Sequence, residues 1–200
     1  MLLNASQLNS VPLNSTSGRG FDDWTLLAPV ERQVIYVLDI GEYRVPISSA
    51  QATMRANGQS FLQAVIPNAS EHAAEIAGRL NETMALLSGY RYADNTLSPL
   101  EAIAQAPFQL SSQATGAIND TLTISGYGVR DPGSGLTRHL TEVQTRTIGQ
   151  DGHRRVRCGI DLFLRPGHIA RDSDDVEFTV GTIQYFINAV SEAMEVVQDG

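Results

Sequence analysis

The sequence predicts a mainly β fold, a β-dominated α+β chain with one short helix and an extended N-terminal arm. Short β-branched or alternating runs recur between Gly, Pro, Asn and Asp turn signals. One segment alone has convincing helical spacing. Residues 1–30 show neither period.

Coil chemistry opens the chain, in Asn4-Ala5-Ser6-Gln7 and again in Asn14-Ser15-Thr16-Ser17-Gly18. Phe21, Trp24, Leu26 and Leu27 are the concentrated apolar group there, which suits an arm anchored through Trp24 on its own domain or on a neighbouring subunit. The strand pattern starts at Val34-Ile35-Tyr36-Val37-Leu38 and ends in an Asp39-Ile40-Gly41-Glu42 turn. Tyr43-Arg44-Val45-Pro46-Ile47 alternates, and Pro46, which has no N–H, points to an edge position or a strand end. A third strand, Ala50 to Arg55, closes on Asn57-Gly58, a hairpin signal, and Phe61 to Ile66 returns as a fourth.

Asn68 or Ser70 can cap the helix, which carries Ala73, Ala74, Ile76, Ala77 and Leu80. Thr83 to Leu87 is a strand leading into Ser88-Gly89-Tyr90-Arg91-Tyr92, and Asp94-Asn95 makes a turn. Leu97 to Ala106 carries two signals: Ser98, Pro99 and Glu101 look like a helix start, while Pro107-Phe108-Gln109-Leu110 looks like strand. Ala117 to Tyr127 alternates as a strand through Leu122 and Ile124. Arg130-Asp131-Pro132-Gly133-Ser134-Gly135 is the densest cluster of breakers and marks the domain boundary. Beyond it come strands over Leu140–Ile148 and Arg154–Leu164, a turn at Arg165-Pro166-Gly167-His168, and strands over Val176–Ile187 and Ala189–Val197.

Composition narrows the function classes. An apolar fraction of 42% argues against wholesale disorder. Charged residues reach only 18%, below the usual quarter, with Ser, Thr, Asn and Gln filling polar positions, as on a surface partly covered by neighbours. A net charge of -8 and a pI of about 4.9 exclude a dedicated nucleic-acid surface, which would be basic. All 14 basic residues are Arg, whose planar fork fits interfaces, although codon usage in a GC-rich genome accounts for the same bias. Cys158 is the only cysteine, which excludes an intramolecular disulfide and a cysteine-built metal site; its apolar run predicts a buried, inert thiol. Met1-Leu2-Leu3 passes at once into Asn and Ser, so neither a signal peptide nor a membrane-spanning helix is expected.

Chemistry is sparse. His72, His139, His153 and His168 lack metal-ligand spacing and read as surface residues. Gly126-Tyr127-Gly128 follows a strand with no helix after it, which reads as a bend rather than a nucleotide site. Asp172-Ser173-Asp174-Asp175 lacks the Gly and the distal Glu of a Ca²⁺ loop and reads as a solvated loop. Arg154-Arg155-Val156-Arg157 is the one basic cluster; in a strand Arg155 and Arg157 share a face, suited to an acidic surface on another subunit. No catalytic, cofactor or metal residue is expected, and the candidate interface residues are Phe21, Trp24, Arg154, Arg155 and Arg157.

Three stretches resemble the tail-tip hub proteins of tailed bacteriophages. They are Glu82 to Gly89 with Tyr90-Arg91-Tyr92-Ala93-Asp94, and Thr121 to Tyr127; Tyr43 to Ser49 with Phe61 to Pro67; and Leu162-Phe163-Leu164-Arg165-Pro166-Gly167-His168 with Val180-Gly181-Thr182-Ile183. The likeness spans residues 33–197, and His168 stands where that family's turn usually has Asp. It implies two small β-barrel-like domains, at residues 31–130 with the helix and at residues 131–200, after the arm of residues 1–30. It also implies a virion structural protein without enzymatic activity or cofactors. A homo-oligomeric ring at the tail tip or baseplate is then expected, with three copies favoured because two similar barrels per chain would match a sixfold tube, and six if only one half faces the channel. That ring links the tube to distal tail and tip or fibre proteins, and DNA passes through it without specific binding or membrane contact. A distal tail protein and a free β-barrel module for a host-surface ligand are the alternatives. A cell-wall hydrolase would need paired carboxylates or a Cys/His pair, and no such constellation is evident.

Overall fold

The structure, a computed structural model, describes residues 32–116, 120–129, 133, 135–188 and 191–200. The arm with Phe21 and Trp24, and Asp131 and Pro132 of the expected boundary, lie outside these residues. The strands are β1 (Arg32–Ile40), β2 (Tyr43–Pro46), β3 (Ser49–Arg55), β4 (Ser60–Pro67), β5 (Thr83–Tyr92), β6 (Glu101–Gly116) and β7 (Thr121–Gly128). They continue as β8 (Thr137–His139), β9 (Thr145–Ile148), β10 (Arg154–Cys158), β11 (Ile169–Arg171), β12 (Glu177–Asn188) and β13 (Glu192–Gln198). A single helix among the described residues, α1 (Ala69–Ala77), joins β4 to β5. The fold is mainly β, as the sequence predicts.

The chain divides into two compact units: residues 1–35 with Gly89–Leu100, and Tyr36–Ser88 with Glu101–Gly200. In the first, the described residues of Gly89–Leu100 turn back on themselves. Arg91 bridges Leu97, Ser98 N donates to Tyr90 O (2.8 Å) and Tyr92 N to Thr96 O (2.9 Å). Asn95 takes the left-handed position at φ 64°, and Asp94 accepts from both Thr96 N (2.9 Å) and Thr96 Oγ1 (2.7 Å). That is a type I turn closed by a left-handed residue, which Asn and Asp tolerate.

The second unit holds the rest of β1 and β5 and all the other strands, along the main sheet path β2-β1-β5-β6-β7-β4-β3-β12-β13-β10-β9, with β11 pairing β12 and β8 lying parallel to β11. Strands that precede residue 130 and strands that follow it occupy two contiguous stretches of this path. They meet at β3 and β12, which pair from Thr182↔Arg55 to Asn188↔Ser49. Period-2 alternation explains which face is buried. On β4, Leu62, Ala64 and Ile66 are buried while Gln63 is exposed; on β12, Ile183, Tyr185 and Ile187 are buried between Gln184 and Phe186. Each buried Leu or Ile contributes on the order of 1.5–3 kcal/mol relative to exposure. Pro46 does sit on an edge strand, β2, at one end of the path.

Four local expectations are corrected. Asn68 occupies the N-cap of α1 in a left-handed conformation (φ 55°) without a side-chain cap bond. The cap comes instead from Asp120, just before β7: its Oδ1 accepts from Ser70 N (2.9 Å), its Oδ2 from Ser70 Oγ (2.8 Å), and its carbonyl from Ala69 N (2.8 Å). The double signal at Leu97–Ala106 resolves to strand from Glu101. Gly126 and Gly128 lie inside β7 rather than in a bend. A Cβ on Gly126 would stand 2.5 Å from Gln109 O, and one on Gly128 2.5 Å from Pro107 O, so the β6 backbone needs both glycines. Finally, β10 stops at Cys158 instead of running to Leu164, because Asp161 Oδ1 accepts from Phe163 N (2.9 Å) and offers the backbone a turn in place of the ladder.

The Arg165–His168 turn places Pro166 and Gly167 at its centre, with His168 N donating to Arg165 O (3.0 Å) and Gly167 at φ 90°. This is type II chemistry, with Pro fixing one φ and Gly supplying the positive one. Gly167 N then donates to Val180 O (2.7 Å) and Val180 N to His168 O (2.8 Å), which ties the turn to β12.

Candidate interface surfaces

The basic cluster is the first place to look for a partner. β10 turns Val156 and Cys158 into the core and alternates its arginines around them. Arg154 Nη1 donates to Asp172 Oδ2 at 2.9 Å, Arg155 Nη2 to Asp151 Oδ2 at 2.6 Å, and the Arg157 guanidinium lies 5.9 Å from the centroid of the Phe186 ring. All three are therefore engaged within the chain. The sharing of a face by Arg155 and Arg157 was legible in the sequence; their intrachain partners were not, because these come from the β9–β10 turn and from β12.

Asp172 corrects the reading of its loop as wholly solvated. Asp172 is 2% exposed, and its Oδ1 accepts from Asp174 N (2.8 Å) and Val176 N (3.3 Å). Asp175 N donates to Asp172 O (3.1 Å) and Asp175 adopts φ 59°, so the β11–β12 hairpin closes in a three-residue loop. Arg146 reaches Asp172 at 3.7 Å and Asp174 at 3.4 Å, and also bonds Ser173 Oγ. A buried carboxylate held by a guanidinium and two backbone N–H groups is a structural tie between β9, β10 and the β11–β12 hairpin. His168 likewise departs from the surface expectation, at 6% exposure; Gly133 lies against it, where a Cβ would stand 2.3 Å from the imidazole.

Cys158 is buried and free, and burial, with Asp161 adding, pushes its thiol up to about 12. A thiolate is then unavailable at neutral pH. Among the described residues no group of three or more His, Cys, Asp or Glu could hold a metal ion, and no helix is long and apolar enough to cross a membrane.

Two surfaces remain. The sheet face turned away from the core carries uncharged polar side chains in register: Gln51 opposite Gln63, and Gln63 opposite Ser125. A groove of about 240 Å³ opens there beside Gln51, Gln63, Val65 and Phe186. The second surface is the strand edges. β9 and β2 end the main path, every residue of β9 is exposed, and Ile148 is 72% exposed. An edge presents unpaired N–H and C=O groups and is either covered or becomes an interface.

No family model matches the chain, and no curated protein matches it. Solved structures do. A tail protein from Neisseria meningitidis has a TM-score of 0.53 at 7% identity, covering 84% of this chain and 97% of its own. The 43 kDa tail protein of prophage MuSo2 from Shewanella oneidensis has a TM-score of 0.48 at 6% identity, covering 82% and 97%. An E. coli type VI secretion component, described as structurally similar to T4 bacteriophage tail proteins, has a TM-score of 0.44 at 7% identity, covering 80% and 75%. At such identity a likeness speaks for fold, and by the first of these the chain is similar in fold to a tail protein, as its resemblance to tail-hub sequences implied.

Proposed function

We propose that the chain is a structural, non-enzymatic component of a phage-type tail, a hub protein that rings the DNA channel at the tail tip and links the tube to the tip. The observation that carries this is the tail-protein fold extending over 84% of the chain. The open edges support assembly into a ring: β9 of one copy meets β2 of the next in a head-to-tail contact, which closes when the rotation closes. Three copies are favoured. The strands before and after residue 130 then act as two similar barrel-like halves, and three pairs match a sixfold tube. Phe21 and Trp24 anchor the arm on a neighbouring subunit. The surplus of acidic residues, net charge -8, lets DNA slide past without sticking.

Mass spectrometry of purified virions tests the reading. The chain is expected at a fixed low copy number, and its absence from the particle would overturn it. The groove beside Phe186 favours a second reading, a binding module for a host-surface ligand. A glycan or cell-surface extract that protects Gln51 and Gln63 from hydroxyl-radical labelling would support that alternative.

A further inference from the structure

We propose that Asn57 is a site of spontaneous backbone modification, converting to aspartyl and isoaspartyl residues in the folded protein. Asn57-Gly58 is the one Asn-Gly pair in the sequence and lies exposed in the hairpin between β3 and β4. What distinguishes it is the nitrogen that must attack. Gly58 N is in no hydrogen bond among the described residues, and nothing lies within 4 Å of where a Gly58 Cβ would stand. After three other asparagines in the described residues the corresponding nitrogen is occupied. Ala69 N, after Asn68, donates to Asp120 O (2.8 Å); Glu82 N, after Asn81, donates to Arg79 O (3.0 Å); Thr96 N, after Asn95, donates to Asp94 Oδ1 (2.9 Å). A bound amide must first be released before it can act as a nucleophile, and a following side chain crowds its approach.

In the reaction Gly58 N bonds to Asn57 Cγ, the Cγ–Nδ2 bond breaks, and ammonia leaves carrying the proton that Gly58 N gives up. Water then opens the cyclic imide. Attack at Cγ yields aspartate, and attack at the backbone carbonyl yields isoaspartate, with the side-chain methylene now part of the main chain. The loop is pinned on both sides, by Ala56 N on Gly181 O (2.8 Å) and by Ser60 pairing with Gly128, so the change is confined between the pins. Either product adds a carboxylate within the loop that Arg55 Nη1 spans to reach Gln59 O (3.3 Å).

The purified full chain is held folded at mildly alkaline pH in ¹⁸O-water and sampled by peptide mass mapping, with isoaspartate separated from aspartate. Asn57 is expected to convert ahead of Asn68, Asn81 and Asn95, with ¹⁸O in the product, and the Asn57→Gln chain to show no conversion in that peptide. A parallel sample in denaturant is expected to narrow the gap between the sites. An Asn57 peptide that stays intact in the folded chain while converting in denaturant would overturn the proposal, as would earlier conversion at any of the other three. The wild-type time course alone decides the matter if the variant fails to fold.

Discussion

At the scale of single residues, burial decides the chemistry. The Cys158 thiol, pushed up to about 12, is expected to stay silent to a thiol reagent at pH 8 in the folded chain and to react once urea unfolds it; labelling stoichiometry checks this. Asp172→Asn keeps an oxygen for Asp174 N and Val176 N but removes the charge facing Arg154, so it isolates the ion pair. A loss of about 3 kcal/mol is expected, read from the urea midpoint at unchanged slope. The pH dependence has two signs. Asp151 is held below the usual carboxylate range, first by the His153 N–H and then by Arg155, so its contribution is present above its unfolded pKa and is lost as pH falls through the lower folded value. Burial raises Glu192, so its ionisation opposes folding and that penalty lifts as pH falls through the raised value. Urea titrations of Asp151→Asn and Glu192→Gln across the acid range should flatten these two components in opposite directions. The thiol's burial was legible from its apolar run; the burial of Asp172 was not, because Asp-Ser-Asp-Asp reads as solvent chemistry until two arginines from other strands surround it.

At the scale of elements, local pattern and remote contact divide the work. The α1 periodicity and the strand alternation were legible because the apolar positions themselves repeat at 3.6 or at 2. The helix cap was not, since Asp120 lies some fifty positions away and reaches Ser70 only after β7 docks on β4. Asp120→Ala is expected to cost about 1 kcal/mol, while Asn68→Gly, which keeps the left-handed backbone at that position, should leave the cap bonds in place; thermal melts compare the two. Gly126→Ala should be more damaging, because its Cβ would meet both Met84 Cε (2.3 Å) and Gln109 O (2.5 Å), and backbone cannot yield cheaply. A measurable drop in the urea midpoint, with β7 the first strand to lose amide protection, is the expected result.

At the scale of the whole molecule, assembly is the test. Deleting residues 1–27 is expected to leave the far-ultraviolet circular dichroism of the remaining chain intact and to impair incorporation into tails, as counted in purified particles. Ile148→Pro, at a position of β9 whose N–H faces the open edge, is expected to lower the oligomer population in native mass spectrometry while the subunit stays folded. The sequence by itself determined the strand-rich class, the helix near Ala73 to Ala77, the hairpin at Asn57-Gly58, and the turns at Asp94-Asn95 and Pro166-Gly167. Each is set by φ preferences and periodicity within a few residues. Only the tertiary structure decided that β3 pairs β12, that Asp120 caps α1, and that Arg154, Arg155 and Arg157 are engaged at home. Those outcomes depend on which distant strands come together, and pairing partners leave no mark on the local pattern of either strand.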